Sequence, residues 1–152
     1  MAAAKLLYFG YGSNLWRQQM SSRCPENNYL GIARLVNWRW IINERGYANV
    51  VPSEGDEVWA LLYALSQSDE TSLDRYEGVP EDYLKKTLQV EFYEAHDDVE
   101  LREGKRIVDA LVYVDVKRTE YIYRMNCGIT DALAEGVPQA YISKYLRHSI
   151  PE

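Results

Sequence analysis

The chain has 152 residues and a mass of 17.7 kDa, which points to one compact domain. A chain of this length buries roughly 68–70% of its unfolded surface, so its core needs neither disulfides nor a structural metal. Its 23 acidic residues against 17 basic ones give a net charge of −6, which argues against a nucleic-acid or anionic-membrane partner.

Residues 5–9, KLLYF, form a short apolar run that predicts a buried first strand, ended by Gly10 and Gly12. Ser13 or Asn14 can then cap a short helix over 15–22. Residues 29–43, rich in Ile, Leu, Val and Trp, predict extended structure, and 45–56 read as a loop around Gly46, Pro52 and Gly55. EVWALLYAL at 57–65 is the clearest internal strand. Residues 66–80 carry a Ser/Asp cap cluster, Leu73 and Tyr76 three apart, then Gly and Pro, the start and stop signals of a short helix. Two strands follow at about 83–94 and 105–116, joined by a charged turn region containing HDD and REGK. From about 121 the chain turns helical, with Thr130 as one cap and Pro138 opening a last helix. This order lacks the regular alternation of a doubly wound fold and predicts one α+β domain over 1–152 with a mixed, barrel-like sheet.

The aromatic inventory is lopsided, with 13 Tyr and 4 Trp against 2 Phe. Tyr suits a pocket wall or a polar-lined barrel, where an apolar ring needs a polar tip, although a half-wet core accounts for any single one. Cys24 and Cys127 stand 103 positions apart, which makes neither a disulfide framework nor a zinc site and suits a reducing compartment. With only His96 and His148 there is no histidine-based metal centre, and His96-Asp97-Asp98 reads as a solvated turn. The N-terminal apolar stretch is too short for a signal sequence, and no run reaches transmembrane length. A soluble cytoplasmic protein is the expectation.

GYGSN at 10–14 lies between a strand and a candidate helix. Glycines at 10 and 12 permit positive φ, so successive N–H groups can line one concavity, and a helix N-terminus adds partial positive charge. Leu15 occupies the third glycine position of a dinucleotide fingerprint, and no Gly-Lys-Ser/Thr of a P-loop is present. Glu77 closes the 69–77 helix at the negative end of its macrodipole, which should raise its pKa toward that of a general acid/base at neutral pH. Glu135 sits in the same context, because EGVPEDY (77–83) and EGVPQAY (135–141) match at five of seven positions. Both segments read as helix stops followed by a proline turn rather than as a duplication. Cys24 shows no activating environment, and no GxSxG elbow exists.

YFGYGSNL (8–15), RGYANVVPSEGDEVWALLYAL (45–65), SLDRYEG (72–78) and CGITDALAEGVPQAYI (127–142) occur in an order that resembles the γ-glutamylcyclotransferase family. The resemblance implies a mixed β-barrel flanked by helices and release of 5-oxoproline from a γ-glutamyl amine, with no cofactor. It implies that the loop holds the glutamyl head, which here involves Tyr8, Phe9, Gly10, Tyr11, Gly12, Ser13 and Asn14, and that Glu77 is the acid/base. A substrate-contacting tyrosine of the family maps onto Tyr121, seven positions before Gly128, and another onto Tyr83, whose spacing here is one residue shorter. Gly10 stands where Ala is common and Ala60 where Gly is common.

The first functional expectation is cyclisation of γ-glutamyl amino acids or peptides, as in glutathione metabolism. The same ring closure on a γ-glutamyl-lysine side chain or on a biosynthetic γ-glutamyl intermediate is the near alternative. A non-catalytic binding domain and a hydrolase are the others. Trp16, Trp38 and Trp40 are candidates for lining the pocket, with core packing the plainer reading of each. A homodimer is left open.

Overall fold

The computed structural model describes residues 5–95, 105–118, 120–147 and 149–151. The charged turn region containing HDD and REGK falls outside them except for Lys105. The chain forms two compact units, one containing the stretch up to Ile41 with Ala48–Val116, the other containing Ile42–Tyr47 with the stretch from Lys117.

The first unit is a closed barrel of five strands, β1 (Leu6–Gly10), β2 (Asn28–Ile42), β3 (Ala48–Leu65), β4 (Leu84–Glu94) and β5 (Arg106–Val114). The order around the barrel is β1-β3-β2-β4-β5. β1 lies antiparallel to β3, with Tyr8 opposite Tyr63, and β4 lies antiparallel to both β2 and β5. A parallel contact between Tyr8 and Leu111 joins β1 to β5, so the sheet is mixed, as expected. All five strands send alternate residues into one buried cluster, among them Phe9, Ala33, Leu62, Val90 and Val112. That cluster is therefore the barrel interior, and period-2 alternation aims the neighbouring side chains outward. Each fully buried Leu or Phe there stabilises by roughly 1.5–3 kcal/mol.

On the outer face of β1, β3 and β5, Tyr8, Tyr63, Leu65, Leu111 and Tyr113 form a second cluster with Met20, Cys24, Leu73 and Tyr83. It is covered by α1 (Arg17–Arg23) and α2 (Gln67–Tyr76). This layer positions the candidate site.

Three local expectations are corrected. The helix expected over 15–22 is a single 3₁₀ turn, Ser13–Leu15, followed by α1, and neither Ser13 nor Asn14 caps it through a side chain. The loop expected over 45–56 is much shorter, because β3 already begins at Ala48. Gly55 adopts φ +86 and Asn37, on β2, adopts φ +67, and the Gly55 N–H donates to Asn37 Oδ1 at 3.1 Å. The strand therefore accommodates its turn-forming residues instead of ending at them. Thr130, the third correction, lies inside a helix and donates its hydroxyl proton to the Asn126 carbonyl.

The second unit holds α3 (Tyr121–Ala134), which continues after a turn into α4 (Gln139–Tyr141) and a π-type turn over Ile142–Leu146. Pro138 is the N-cap of α4, in line with its expected role. Ile129, Ile142 and Ile150 form the core of this unit. The hairpin tip at 42–47 is tied by Asn43, whose Oδ1 accepts from the N–H groups of Arg45 and Tyr47.

Candidate functional site

β1 carries the loop residues to the outer layer. Alternation sends Phe9, fully buried, into the barrel interior, so only its backbone is available to a ligand. Tyr8 points the other way. Its ring stacks on Tyr63 with centroids 6.3 Å apart and meets Tyr113 edge-on at 5.8 Å. The Tyr8 hydroxyl accepts from Asn14 Nδ2 at 2.9 Å, and the Tyr63 hydroxyl donates to the Asn14 carbonyl at 3.0 Å. Asn14 is buried, and its Oδ1 accepts from Gln19 Nε2 at 3.0 Å and from Arg23 Nη1 at 3.4 Å. Ser13 is exposed and its Oγ accepts from Gln19 at 2.7 Å. Tyr11 is buried, and its hydroxyl donates to the Tyr113 carbonyl at 2.5 Å.

The expectation that Gly10 and Gly12 supply positive φ is not met, since neither is among the glycines with φ above zero. What they supply is room. A Cβ on Gly10 would stand 3.2 Å from the Tyr8 ring, and one on Gly12 would stand 3.2 Å from the Ala48 Cβ. The 3₁₀ turn is also too short to act as a macrodipole. It leaves the N–H groups of Gly12, Ser13 and Asn14 without intrahelical acceptors, so any attraction for an anion is local to those donors.

Glu77 arrives from α2. Ser66 caps that helix by accepting from the Asp69 N–H, and Asp69 returns a bond to the Ser66 N–H, a reciprocal capping box. At the other end Gly78 takes φ +64, its N–H bonds the Arg75 carbonyl at 3.2 Å, and the Val79 N–H bonds the Asp74 carbonyl at 3.1 Å. This is a Schellman stop, with Glu77 as the C-cap. The second EGVP segment makes the same stop, with Gly136 at φ +105, Gly136 N–H to Leu133 and Val137 N–H to Ala132. The echo is thus two helix stops of one chemistry, as read from sequence.

The two glutamates differ in their surroundings. Glu135 is exposed, whereas Glu77 is half-buried and its pKa is pushed up to about 7. Burial is the main cause, and the Arg23 charge pulls weakly the other way. The sequence argument expected such a shift from the helix end, and the structure assigns it to desolvation. A charge on Glu77 is felt at Tyr8, Tyr11 and Tyr113, so these groups share one neighbourhood. Burial raises the pKa of all three phenols well above the ordinary range, and Tyr63 is pushed up to about 12. At neutral pH they are donors and Glu77 is the group that titrates.

The structure thus brings Tyr8, Gly10, Tyr11, Asn14 and Glu77 together, and Tyr83 packs in the same outer cluster as Tyr8. The Tyr83 hydroxyl is engaged, donating to the Ala48 carbonyl at 2.6 Å. Tyr121 is the exposed first residue of α3, in the second unit. Sequence reasoning missed Tyr63, Tyr113, Asp74, Gln19 and Arg23. Alternation along β3 and β5 holds the signal for the two tyrosines, because Tyr63 lies opposite Tyr8 and Tyr113 lies two residues after Leu111. Tyr113 donates to Asp74 Oδ1 at 2.6 Å, and Lys85 pairs with Asp74 and Glu70. Core packing holds for Trp38, which packs against the barrel interior, and fails for Trp16 and Trp40, which are exposed. Among the described residues, no group of three or more His, Cys, Asp or Glu side chains could hold a metal ion. No helix among them is long and apolar enough to cross a membrane.

Comparison with known proteins shows the family and the fold. Residues 8–127 match the family described as gamma-glutamyl cyclotransferase, AIG2-like. Curated proteins named gamma-glutamylcyclotransferase match over 83 residues, at 37% identity for Mus musculus and 34% for Homo sapiens. Those matches cover 48% of this chain and 44% of each relative, so the chain spans a little under half the length of these curated relatives. Among solved structures, one titled gamma-glutamyl cyclotransferase superposes with a TM-score of 0.64 at 24% identity, covering 92% of this chain and 85% of its own. An AIG2-like protein from Mus musculus superposes with a TM-score of 0.60 at 20% identity, covering 77% and 81%. At these identities the structural likeness speaks for the fold.

Proposed function

Because the chain belongs to the gamma-glutamyl cyclotransferase, AIG2-like family, we propose that it closes a γ-glutamyl amide into 5-oxoproline and releases the amine. The observation that carries this reading is Glu77, a half-buried carboxyl group with a pKa near 7, placed beside Tyr8, Tyr11 and Tyr113.

The substrate's α-ammonium gives a proton to the Glu77 carboxylate, and the freed amine attacks the γ-carbonyl carbon of the same molecule. A five-membered ring forms, and the bond to the leaving nitrogen breaks as the Glu77 carboxyl returns its proton to that nitrogen. The second proton of the attacking nitrogen passes to the released amine, which departs as an ammonium ion and leaves a neutral lactam. Because both reacting groups belong to one molecule, the protein's main task is to hold a reactive rotamer. Effective molarities for such closures reach about 10⁵ M or more. The N–H groups of Gly12, Ser13 and Asn14 serve as donors to the α-carboxylate or to the developing oxyanion. The roles of Tyr83 and Tyr121 in contacting substrate rest on the family resemblance.

γ-Glutamyl amino acids and dipeptides are the substrates of the first reading. The test is a panel of γ-glutamyl dipeptides, γ-glutamyl-ε-lysine and glutathione, assayed for 5-oxoproline by mass spectrometry. Glu77→Gln is expected to lower turnover by about 10²–10⁴. Release of glutamate would indicate a hydrolase, and no reaction with any member would indicate a binding domain. A Glu77→Gln variant at wild-type rate, with Glu135→Gln inactive, would reverse the assignment.

A further inference from the structure

The proposed chemistry needs backbone donors with a fixed direction, and every carbonyl from Tyr11 to Asn14 already has a donor. Trp40 Nε1–H bonds the Tyr11 carbonyl at 3.1 Å, and the Tyr63 hydroxyl bonds that of Asn14 at 3.0 Å. Between them, the Leu15 N–H bonds the Gly12 carbonyl and the Trp16 N–H bonds that of Ser13, both at 3.0 Å. In a trans peptide the C=O and the following N–H point in opposite directions. Holding the carbonyls of Tyr11, Gly12 and Ser13 therefore sets the direction of the Gly12, Ser13 and Asn14 N–H groups.

Two of those three carbonyls are held by the turn itself. The third is held from another strand, by a side chain 29 positions away in sequence. Trp40 lies on β2 and is 46% exposed, so ring burial does not account for its placement. Tyr11 is anchored at its far end as well, through its hydroxyl on the Tyr113 carbonyl. Gly12 is hemmed in by Ala48, where an added Cβ would stand 3.2 Å from the Ala48 Cβ. The Tyr11–Gly12 peptide is thus held at its carbonyl by the indole and through the Tyr11 side chain by the Tyr113 carbonyl.

We propose that Trp40 is a positioning residue of the glutamyl-binding loop, its indole N–H holding the Tyr11 carbonyl so that the Gly12 N–H faces the substrate's anionic group. This inference rests on the function proposed above. Trp40 touches no reacting atom. It acts through the peptide it holds, and its loss frees that peptide to rotate.

Trp40→Phe keeps an aromatic ring and removes the donor. With γ-glutamyl-alanine as substrate, kcat/KM should fall roughly three- to tenfold, the effect of one neutral hydrogen bond. The pH midpoint of kcat/KM should stay in place, because Glu77 is untouched, and unfolding by urea should shift by no more than the worth of one neutral hydrogen bond. A kcat/KM within about twofold of wild type would overturn the proposal. A second readout needs no activity: the ¹⁵N relaxation order parameter of the Gly12 amide should drop in Trp40→Phe and hold in Trp16→Phe. An unchanged value in Trp40→Phe would overturn the proposal too. If wild-type protein cyclised no substrate while Gly12 still lost order in Trp40→Phe, the functional reading would fail and the clamp would stand.

Discussion

Glu77 is where one residue's environment decides both chemistry and stability. Its ordinary pKa of 4.5 is raised to about 7 in the folded protein, so the folded state binds the proton more tightly than the unfolded chain. The favourable contribution is complete below the unfolded pKa and is lost as pH rises through about 7. Above that, keeping the charge half-buried costs on the order of 3 kcal/mol. Glu77→Gln removes that titration and leaves a neutral group in its place. Compared with wild type, the variant should be about equally stable in acid and more stable above neutral pH, as read by urea unfolding at the two extremes. An identical difference at both pH values would contradict the burial argument. The same titration should govern catalysis, with kcat/KM rising through about pH 7 as the carboxylate forms to accept the α-ammonium proton. The phenols of Tyr8, Tyr11 and Tyr113 cannot supply that limb, since burial keeps them protonated.

The helix stop that presents Glu77 operates over a few residues, and its twin at Glu135 provides an internal control. Both Gly78 and Gly136 have positive φ, so an Ala at either costs about 1–2 kcal/mol from the backbone alone. At Gly78 the added Cβ would also stand 2.4 Å from Asp82 Oδ2, whereas at Gly136 nothing lies within 4 Å. Gly78→Ala should therefore lower the thermal midpoint more than Gly136→Ala and, unlike it, should lower kcat by displacing Glu77, the proposed acid/base. Equal losses of stability would show that the Asp82 contact is accommodated freely. These stops were legible in the sequence because their cause is local: a glycine where an L side chain is strained, then a proline. The Ser/Asp cap cluster that opens α2 was legible for the same reason. The start of β3 was not, since Pro52 and Gly55 signal a loop, and the Asn37–Gly55 bond that keeps the strand going comes from a neighbouring strand. The cap expected for the helix over 15–22, which forms as α1, failed in the same way. Asn14 turns inward to Tyr8, a partner six positions back, instead of capping its own helix.

Across the whole molecule, the barrel could be anticipated from an element order without regular alternation, but the order β1-β3-β2-β4-β5 could not. That order depends on pairings between strands far apart in the chain, and no local pattern encodes them. The tyrosine excess pointed at the site without resolving it. Tyr63 and Tyr113 join Tyr8 only because β1 sits between β3 and β5, a fact of topology. Net charge is the remaining global property with a functional consequence. At −6 the molecule repels an anionic γ-glutamyl dipeptide at long range, while in the proposed binding mode backbone N–H groups receive its carboxylate at short range. Salt shortens the reach of the repulsion from about 30 Å at 0.01 M to about 8 Å at 0.15 M and hardly touches donors in contact. For this substrate kcat/KM should therefore rise, by no more than about threefold, as ionic strength increases over that range. For a γ-glutamyl amide without net charge it should stay flat. A steep fall with salt would mean that a cationic side chain such as Arg23, whose charge is felt at Glu77 and which bonds Asn14, does the recognising in place of the loop backbone.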